Sequence, residues 1–231
     1  MQTHNNIKLN DYLYEIIELN PFILLVFEHL QLFDKEKNQT IKSFCKEKKL
    51  NESLILSIFN IYNGNSKINK LDNCKECLPI IVKFLKHSHF YYKNEKYPLI
   101  NQLLNELAQK SKANEIKLLK KFFEAYINEV NEHLDYEEKN VFPYVEQLYS
   151  DKKIESTLFS IKQYQEHHND IEEKLSDLKN LLIHHIKAGE FASLYRQIIF
   201  HLYELEFDLH AHSIIEDKIL VPIISSIEKN K

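Results

Sequence analysis

Glycine is almost absent from this chain, and its scarcity restricts the fold more than any other feature. Only 2 of the 231 residues are glycine, and 5 are proline. A β-sandwich needs glycine in its turns, and a Rossmann-type fold needs it in the phosphate-binding loop. Two glycines cannot meet these needs, so the composition predicts an all-α protein.

The first 66 residues are predicted to form a small helical domain. Apolar residues recur there at helical spacing, and Thr40 and Asn51 are placed as N-caps of two of its helices. A polar stretch beginning at Asn63-Gly64 marks the end of this domain. Residues 67–78 are therefore predicted to be a linker.

Residues 79–231 show longer amphipathic patterns with short polar breaks. Long helices with short connections favour antiparallel neighbours. This region is therefore predicted to be an up-down-up-down four-helix bundle, with helices at about 79–109, 114–148, 154–187 and 191–228.

Charge and cysteine content narrow the class of protein. The 30 basic and 34 acidic side chains give a formal net charge of −4, which argues against nucleic-acid binding. We find no signal peptide and no apolar run of the ~20 residues that a membrane span needs. Three cysteines are an odd number and do not make a disulfide framework. These features predict a cytoplasmic protein without nucleic-acid or membrane partners.

The lone Cys74-x-x-Cys77 lacks a βαβ context and is interpreted as incidental rather than as a redox or metal-transfer site.

One segment of the chain occurs twice, 79 residues apart, at 133–143 and 212–222. Each copy has histidine, a carboxylate four residues later, lysine at +6 and proline at +10. The same offset relates His89 to His168 and Glu129 to Asp208. The bundle is therefore predicted to be a duplicated helical hairpin.

Four histidines are predicted to lie in one layer of the bundle. Neighbouring antiparallel helices place residues at one level when the connection lies midway between them. The midpoints between successive histidines fall in or beside the predicted breaks, near Ser111, Ser150 and Gly189. Glu137 and Glu216 lie one helical turn after two of these histidines, on the same face.

Buried imidazoles and carboxylates at one level are unfavourable unless a cation neutralises them. Nitrogen and oxygen ligands without thiolate suit iron or manganese, and carboxylates can bridge ions roughly 3.5–4 Å apart. Zinc is a weaker alternative because it usually takes four ligands at one site. The predicted metal ligands are His89, His133, Glu137, His168, His212 and Glu216, with Glu129 and Asp208 as outer hydrogen-bond acceptors.

These residues resemble the ligand pattern of a hemerythrin-like di-iron domain. That pattern is a histidine on the first helix, His-x-x-x-Glu on the second, histidine on the third and His-x-x-x-Glu/Asp on the fourth. The N-terminal unit is similar to that of the repair-of-iron-centres family, through Asn20-Pro21, Val26-Phe27 and Phe44-Cys45. The resemblance implies two non-haem iron ions (Fe2+/Fe3+) with oxo and carboxylate bridges. In it, the histidines are terminal ligands and Glu137 and Glu216 bridge.

The chain departs from these families at two places. Leu32-Phe33 stands where family members carry twin cysteines, so a role of that thiol pair is absent. Tyr164 stands where hemerythrins have a fifth histidine, and residues 99–115 lack the further histidine of related repair proteins. The remaining coordination position has several alternatives: it is open, or it is filled by Tyr164, Glu172 or a water.

The resemblance implies a role in restoring iron–sulfur clusters damaged by nitric oxide or peroxide, through iron donation or NO handling. The expected partners are iron–sulfur proteins or a small diatomic ligand. Two alternatives stay open: a module that binds or senses O2 or NO reversibly, and a purely structural bundle. No catalytic reaction is predicted, and an oligomer is possible. The remaining histidines are interpreted as surface or packing residues, with a channel role as an alternative for His201.

Overall fold

Helices form nearly all of the described backbone. The structure is a computed structural model, and it describes residues 6–32, 38–65, 68, 71, 74–111, 113–150, 169–186 and 189–229. Within these ranges the only pairing of extended backbone is one isolated antiparallel bridge between Tyr12 and Thr40. The predicted all-α class, a helical bundle preceded by a helical N-terminal part, is confirmed.

Four short helices build the N-terminal part, and local capping fixes where two of them begin. They are α1 (Leu13–Leu19), α2 (Ile23–Leu30), α3 (Ile41–Lys48) and α4 (Glu52–Tyr62). The Thr40 hydroxyl accepts from the Ser43 N–H at 3.2 Å, and the Asn51 Oδ1 accepts from the Leu54 N–H at 3.0 Å. Each side chain satisfies an N–H that the first turn of a helix leaves unpaired. Both predicted N-caps are confirmed.

The long helices follow in the predicted order. The first consists of α5 (Leu78–Tyr91) and α6 (Tyr97–Lys110), the second of α7 (Asn114–Tyr136) and α8 (Phe142–Tyr149), the third of α9 (Asn169–His185) and the fourth of α10 (Ala192–Ile215) and α11 (Val221–Lys229). Within the described ranges their ends lie within one or two residues of the predicted ones. The predicted start of the third helix, near residue 154, lies outside the described residues.

Three of the long helices contain a π-helical turn, which the sequence analysis did not predict. These turns are Tyr92–Lys96, Glu137–Val141 and Glu216–Leu220. A proline follows each turn by two residues, at Pro98, Pro143 and Pro222. Proline has no N–H to donate, and its ring clashes with the carbonyl four residues earlier in an α-helix. The wider π turn relieves this clash, so each helix continues past its proline.

The contacts group the chain into two compact units. The first contains Met1–Ser88, Phe142–Ile161 and Ala211–Lys231, and the second contains His89–Val141 and Lys162–His210. In the first, α2 and α3 pack on α4 around Phe44, Ile58 and other fully buried side chains. In the second, α6 and α9 pack on α7 around Leu104, Phe123 and Leu178. The predicted domain boundaries, at 66 and 79, remain a prediction.

Two of the three cysteines are paired, which the sequence did not predict. The structure joins Cys74 and Cys77 in a disulfide with their Cα atoms 5.3 Å apart, and the interpretation of the pair as incidental rather than reactive stays untested. Cys45 is a buried free thiol, and burial raises its pKa to about 12. None of the described helices combines the length and apolar character that crossing a membrane requires.

Candidate metal centre

A buried carboxylate at the start of the second π turn lies against two imidazoles. The Glu137 Oε1 is 3.0 Å from the His133 Nε2, and its Oε2 is 3.1 Å from the His89 Nε2. Glu137 and His89 are fully buried, whereas His133 keeps 16% of its side chain exposed. His133 and Glu137 share one face because they are four residues apart on one helix. Each carboxylate oxygen of Glu137 thus faces a different histidine.

The His89 ring is held from its other side by Glu138. The His89 Nδ1 is 3.0 Å from the Glu138 Oε1, and the Lys93 Nζ donates to the same oxygen at 3.0 Å. The hydrogen bond from His89, together with Lys93 and against the effect of burial, lowers the pKa of Glu138 to about 2. Glu138 is therefore an anion that accepts from the Nδ1–H of His89. That assignment leaves the Nε2 of His89 directed at Glu137.

His212 is held in the same way by a hydroxyl instead of a carboxylate. The Ser88 Oγ donates to the Leu85 carbonyl at 2.8 Å, so its oxygen is left to accept from the His212 Nδ1–H, also at 2.8 Å. The His212 Nε2 is then directed at the Glu216 Oε1, at 3.2 Å. All of these side chains are buried. An outer acceptor that fixes the tautomer of a histidine is typical of metal-binding histidines.

Four residues bring potential ligand atoms to one place. One such atom from each of His89, Glu137, His212 and Glu216 lies within 4.8 Å of the others. The Nδ1–H groups of His89 and His212 donate to Glu138 and Ser88, away from this cluster. The Nε2 lone pairs of the two histidines therefore lie close to the carboxylate oxygens of Glu137 and Glu216 in a small buried volume. This arrangement is unfavourable unless a cation or protons lie among these atoms. A donor set of imidazoles and carboxylates without thiolate fits iron or manganese.

Part of the predicted ligand set can be placed, and its role as ligands remains a prediction. The structure brings together His89, Glu137, His212 and Glu216 and puts His133 beside Glu137. His168 and Tyr164 lie outside the described residues, as does the side chain of Glu172.

The structure adds two outer acceptors to those expected, Glu138 and Ser88. Glu129 forms an ion pair with Lys174, and Asp208 is fully buried. Burial and the charge of Asp208 raise the pKa of Tyr97. The role of Glu129 and Asp208 as outer acceptors remains a prediction. Glu138 had a sequence signal, because it is a second carboxylate directly after a predicted ligand, whereas no pattern pointed to Ser88.

The π turns coincide with the candidate ligands. Glu137 and Glu216 are each the first residue of such a turn. The remaining turn, Tyr92–Lys96, begins three residues after His89. π turns inside α-helices are frequent at functional sites because they change the direction of side chains within a continuous helix. The prolines within otherwise unbroken helical patterns were the available sequence signal.

Comparison with known proteins gives one match. The family model described as Hemerythrin HHE cation binding domain matches residues 97–224, which is more than half of the chain. The match includes both copies of the repeated segment, 133–143 and 212–222, and it begins eight residues after His89. No curated protein and no solved structure matches significantly.

Proposed function

Because the chain belongs to the hemerythrin HHE cation-binding family, we propose that it is a cytoplasmic non-haem di-iron protein that helps to repair iron–sulfur clusters under nitric oxide or oxidative stress. The observation that supports this proposal most is the buried cluster of His89, Glu137, His212 and Glu216. Its donor atoms suit iron, and the outer hydrogen bonds hold both imidazoles ready to bind.

The proposal assigns a role to each predicted ligand. His89, His133, His168 and His212 would be the terminal ligands, and Glu137 and Glu216 would bridge the two ions. When bound, an iron pair supplies one-electron redox chemistry and a coordination position for a diatomic molecule. The protein contributes orientation, because Glu138 and Ser88 keep the Nδ1–H groups of His89 and His212 turned away from the ions.

Iron donation requires a side from which an ion can leave. Among the ligands whose side chains the structure describes, His133 is the most exposed, and Glu137, His89, His212 and Glu216 are nearly or fully buried. His133 would therefore be the ligand most accessible to solvent, and the site would exchange iron with a client protein on that side. This difference in exposure supports iron donation.

Reversible binding or sensing of O2 or NO is the second candidate function. The burial of His89, Glu137 and Glu216 favours it, because a dry site limits water and proton access to a bound diatomic ligand. Both candidates share the same ligands and differ in whether iron leaves the protein.

Metal analysis tests the di-iron assignment. We expect the purified protein, reconstituted anaerobically with Fe2+, to retain about two irons per chain, the number that a carboxylate-bridged pair requires. His133→Ala lowers this number, whereas His184→Ala, an exposed histidine remote from the ligands in sequence, leaves it unchanged. Wild-type protein without iron, or equal iron content in the two variants, would contradict the assignment.

Iron transfer separates the two candidate functions. Iron-loaded protein is mixed anaerobically with a dehydratase whose [4Fe–4S] cluster has been damaged by NO, and the recovered dehydratase activity is measured. The repair function predicts recovery with the wild type and little with Glu137→Gln. Absence of recovery, together with a spectral change that appears with O2 or NO and reverses on its removal, would support the binding function instead.

A further inference from the structure

The disulfide between Cys74 and Cys77 has features of a reactive site rather than of a structural cross-link alone. Cys74 directly precedes the short 3-10 turn Lys75–Cys77, and Cys77 is the last residue of that turn, which leads into α5 at Leu78. The Cys77 N–H donates to the Cys74 carbonyl at 2.9 Å, so the turn itself brings the two residues together. A disulfide that closes so short a loop restricts the unfolded chain little, which limits its value for stability.

The two sulfur-bearing residues differ in exposure. Cys74 keeps 7% of its surface exposed, whereas Cys77 has none. Cys74 is therefore the more accessible of the two cysteines to an incoming thiolate. In thiol–disulfide exchange the attacked sulfur must be accessible, and the leaving sulfur must be stable as a thiolate. The difference in exposure therefore assigns the attacked sulfur to Cys74 and the leaving sulfur to Cys77.

Neighbouring groups favour the thiolate form of each cysteine. Cys77 directly precedes the first turn of α5, a helix of 14 residues whose N-terminal N–H groups favour a negative charge. The Asn51 Nδ2 donates to the Cys74 Sγ at 3.5 Å. The amide of Asn51 cannot turn over, because its Oδ1 already caps α4 through the Leu54 N–H. The donor is thus held facing the sulfur.

We propose that Cys74 and Cys77 form a thiol–disulfide exchange site that reacts with a dithiol, either a small molecule or a protein. The thiolate of the dithiol attacks the Cys74 sulfur, the Cys74–Cys77 bond breaks, and Cys77 leaves as a thiolate. The second thiol of the partner then attacks the mixed disulfide and releases Cys74. Two electrons and two protons pass from the dithiol to the cysteine pair, and the partner becomes a disulfide. The reverse reaction oxidises the pair.

A redox titration of the full-length protein tests the proposal. The protein is equilibrated with reduced and oxidised dithiothreitol at varied ratios, quenched with acid and alkylated, and its intact mass is measured. We expect one transition in which two thiols appear together in protein that was reduced without denaturant. Alkylation after the quench also labels the free Cys45 at every ratio, so the same transition in Cys45→Ala assigns it to the pair. A pair that stays reduced at every ratio, or that is reduced only after denaturation, would overturn the proposal.

Single cysteine variants test the direction of attack. Cys77→Ser should trap a mixed disulfide at Cys74 when oxidised glutathione is added, and Cys74→Ser should trap little at the buried Cys77. Asn51→Ser keeps an N-cap side chain but removes the amide donor, so in the Cys77→Ser background it should slow alkylation of Cys74 roughly tenfold. Equal trapping in both single variants would contradict the assigned roles. The wild-type titration needs no variant, so a variant that fails to fold leaves the proposal testable.

Discussion

The two copies of the repeated segment, 133–143 and 212–222, have the same backbone and different neighbours. In each copy an α-helix ends just before the glutamate, a π turn begins at that glutamate, and α-helix resumes just before the proline. In the first copy, Glu137 faces the histidine of its own helix and also His89. In the second, Glu216 faces His212, and the counterpart of His89 by the offset, His168, lies outside the described residues.

Two described histidines near the copies are held through different chemistry. A carboxylate, Glu138 of the first copy, accepts from His89, whereas a hydroxyl, Ser88, accepts from His212 of the second copy. A carboxylate makes the imidazole a stronger ligand than a hydroxyl does, because it stabilises positive charge on the ring. In the proposed metal centre, the half-site with His89 would therefore bind its ion more strongly than the half-site with His212.

Metal removal should have the largest effect, because it acts on both copies together. A metal that binds only the folded protein stabilises it by about 4 kcal/mol at a thousand times its Kd. For a chain of this size that corresponds to a loss of roughly 8–16 °C in Tm on chelation. Calorimetry with and without a strong chelator measures it. An unchanged Tm would support the purely structural bundle.

The next largest effect should distinguish the two glutamates. Glu137→Gln removes a charge that faces two imidazoles, so we expect the affinity for Fe2+ to fall by about 100-fold or more. Glu216→Gln removes a charge that faces one described imidazole, so the loss of affinity for Fe2+ should be about tenfold smaller. Competition with a chromogenic chelator measures both variants. Equal losses would show that the two half-sites are equivalent.

The outer acceptors should have a smaller, graded effect. Glu138→Gln should weaken iron binding by about 10- to 100-fold, and Ser88→Ala should lie at the low end of that range. Glu115 is an exposed carboxylate 23 positions before Glu138, so Glu115→Gln is the control and should change binding little. Equal effects of Glu115→Gln and Glu138→Gln would show that Glu138 does not support His89 as a ligand.

The smallest effect concerns a polar cluster beside the second copy. His201 lies 11 residues before His212, where the first copy has Phe122. Burial and the nearby Lys96 lower the pKa of His201, although Glu204 acts in the opposite direction. The unfolded chain therefore binds a proton more readily, and stability falls as the pH drops below about 6.5.

A substitution of His201 isolates this contribution. Since His201 is 29% exposed, solvent limits its effect to less than about 1 kcal/mol. In His201→Asn, the loss of Tm between pH 7 and pH 5 should be smaller than in the wild type. A steeper loss in the variant would reverse the assigned sign.

Features determined by nearby residues could be predicted from the sequence, and features determined by packing could not. Thr40 and Asn51 were identified as caps because a cap depends on a few adjacent residues. The repeat placed Glu137 and Glu216 on the faces of their histidines because helix periodicity is local. Ser88 reaches His212 across 124 positions of the chain, which no local pattern shows. The ion pair between Glu129 and Lys174 joins residues 45 positions apart and is equally invisible in a local pattern.

Two other features had signals that the sequence analysis interpreted differently. Pro143 and Pro222 were used only as markers of the repeat, although proline inside a continuous helix also indicates a local change of helix type. The spacing of Cys74 and Cys77 was judged by the absence of a βαβ unit. The start of a long helix provides a comparable N-terminal environment without a sheet.

The location of bound iron tests the central claim most directly. Crystals of the iron-loaded protein, measured on both sides of the iron absorption edge, give an anomalous difference map. The account predicts two peaks roughly 3.5–4 Å apart, in contact with His89, Glu137, His212 and Glu216. Iron bound elsewhere, or no peak among these four residues in fully loaded protein, would contradict it.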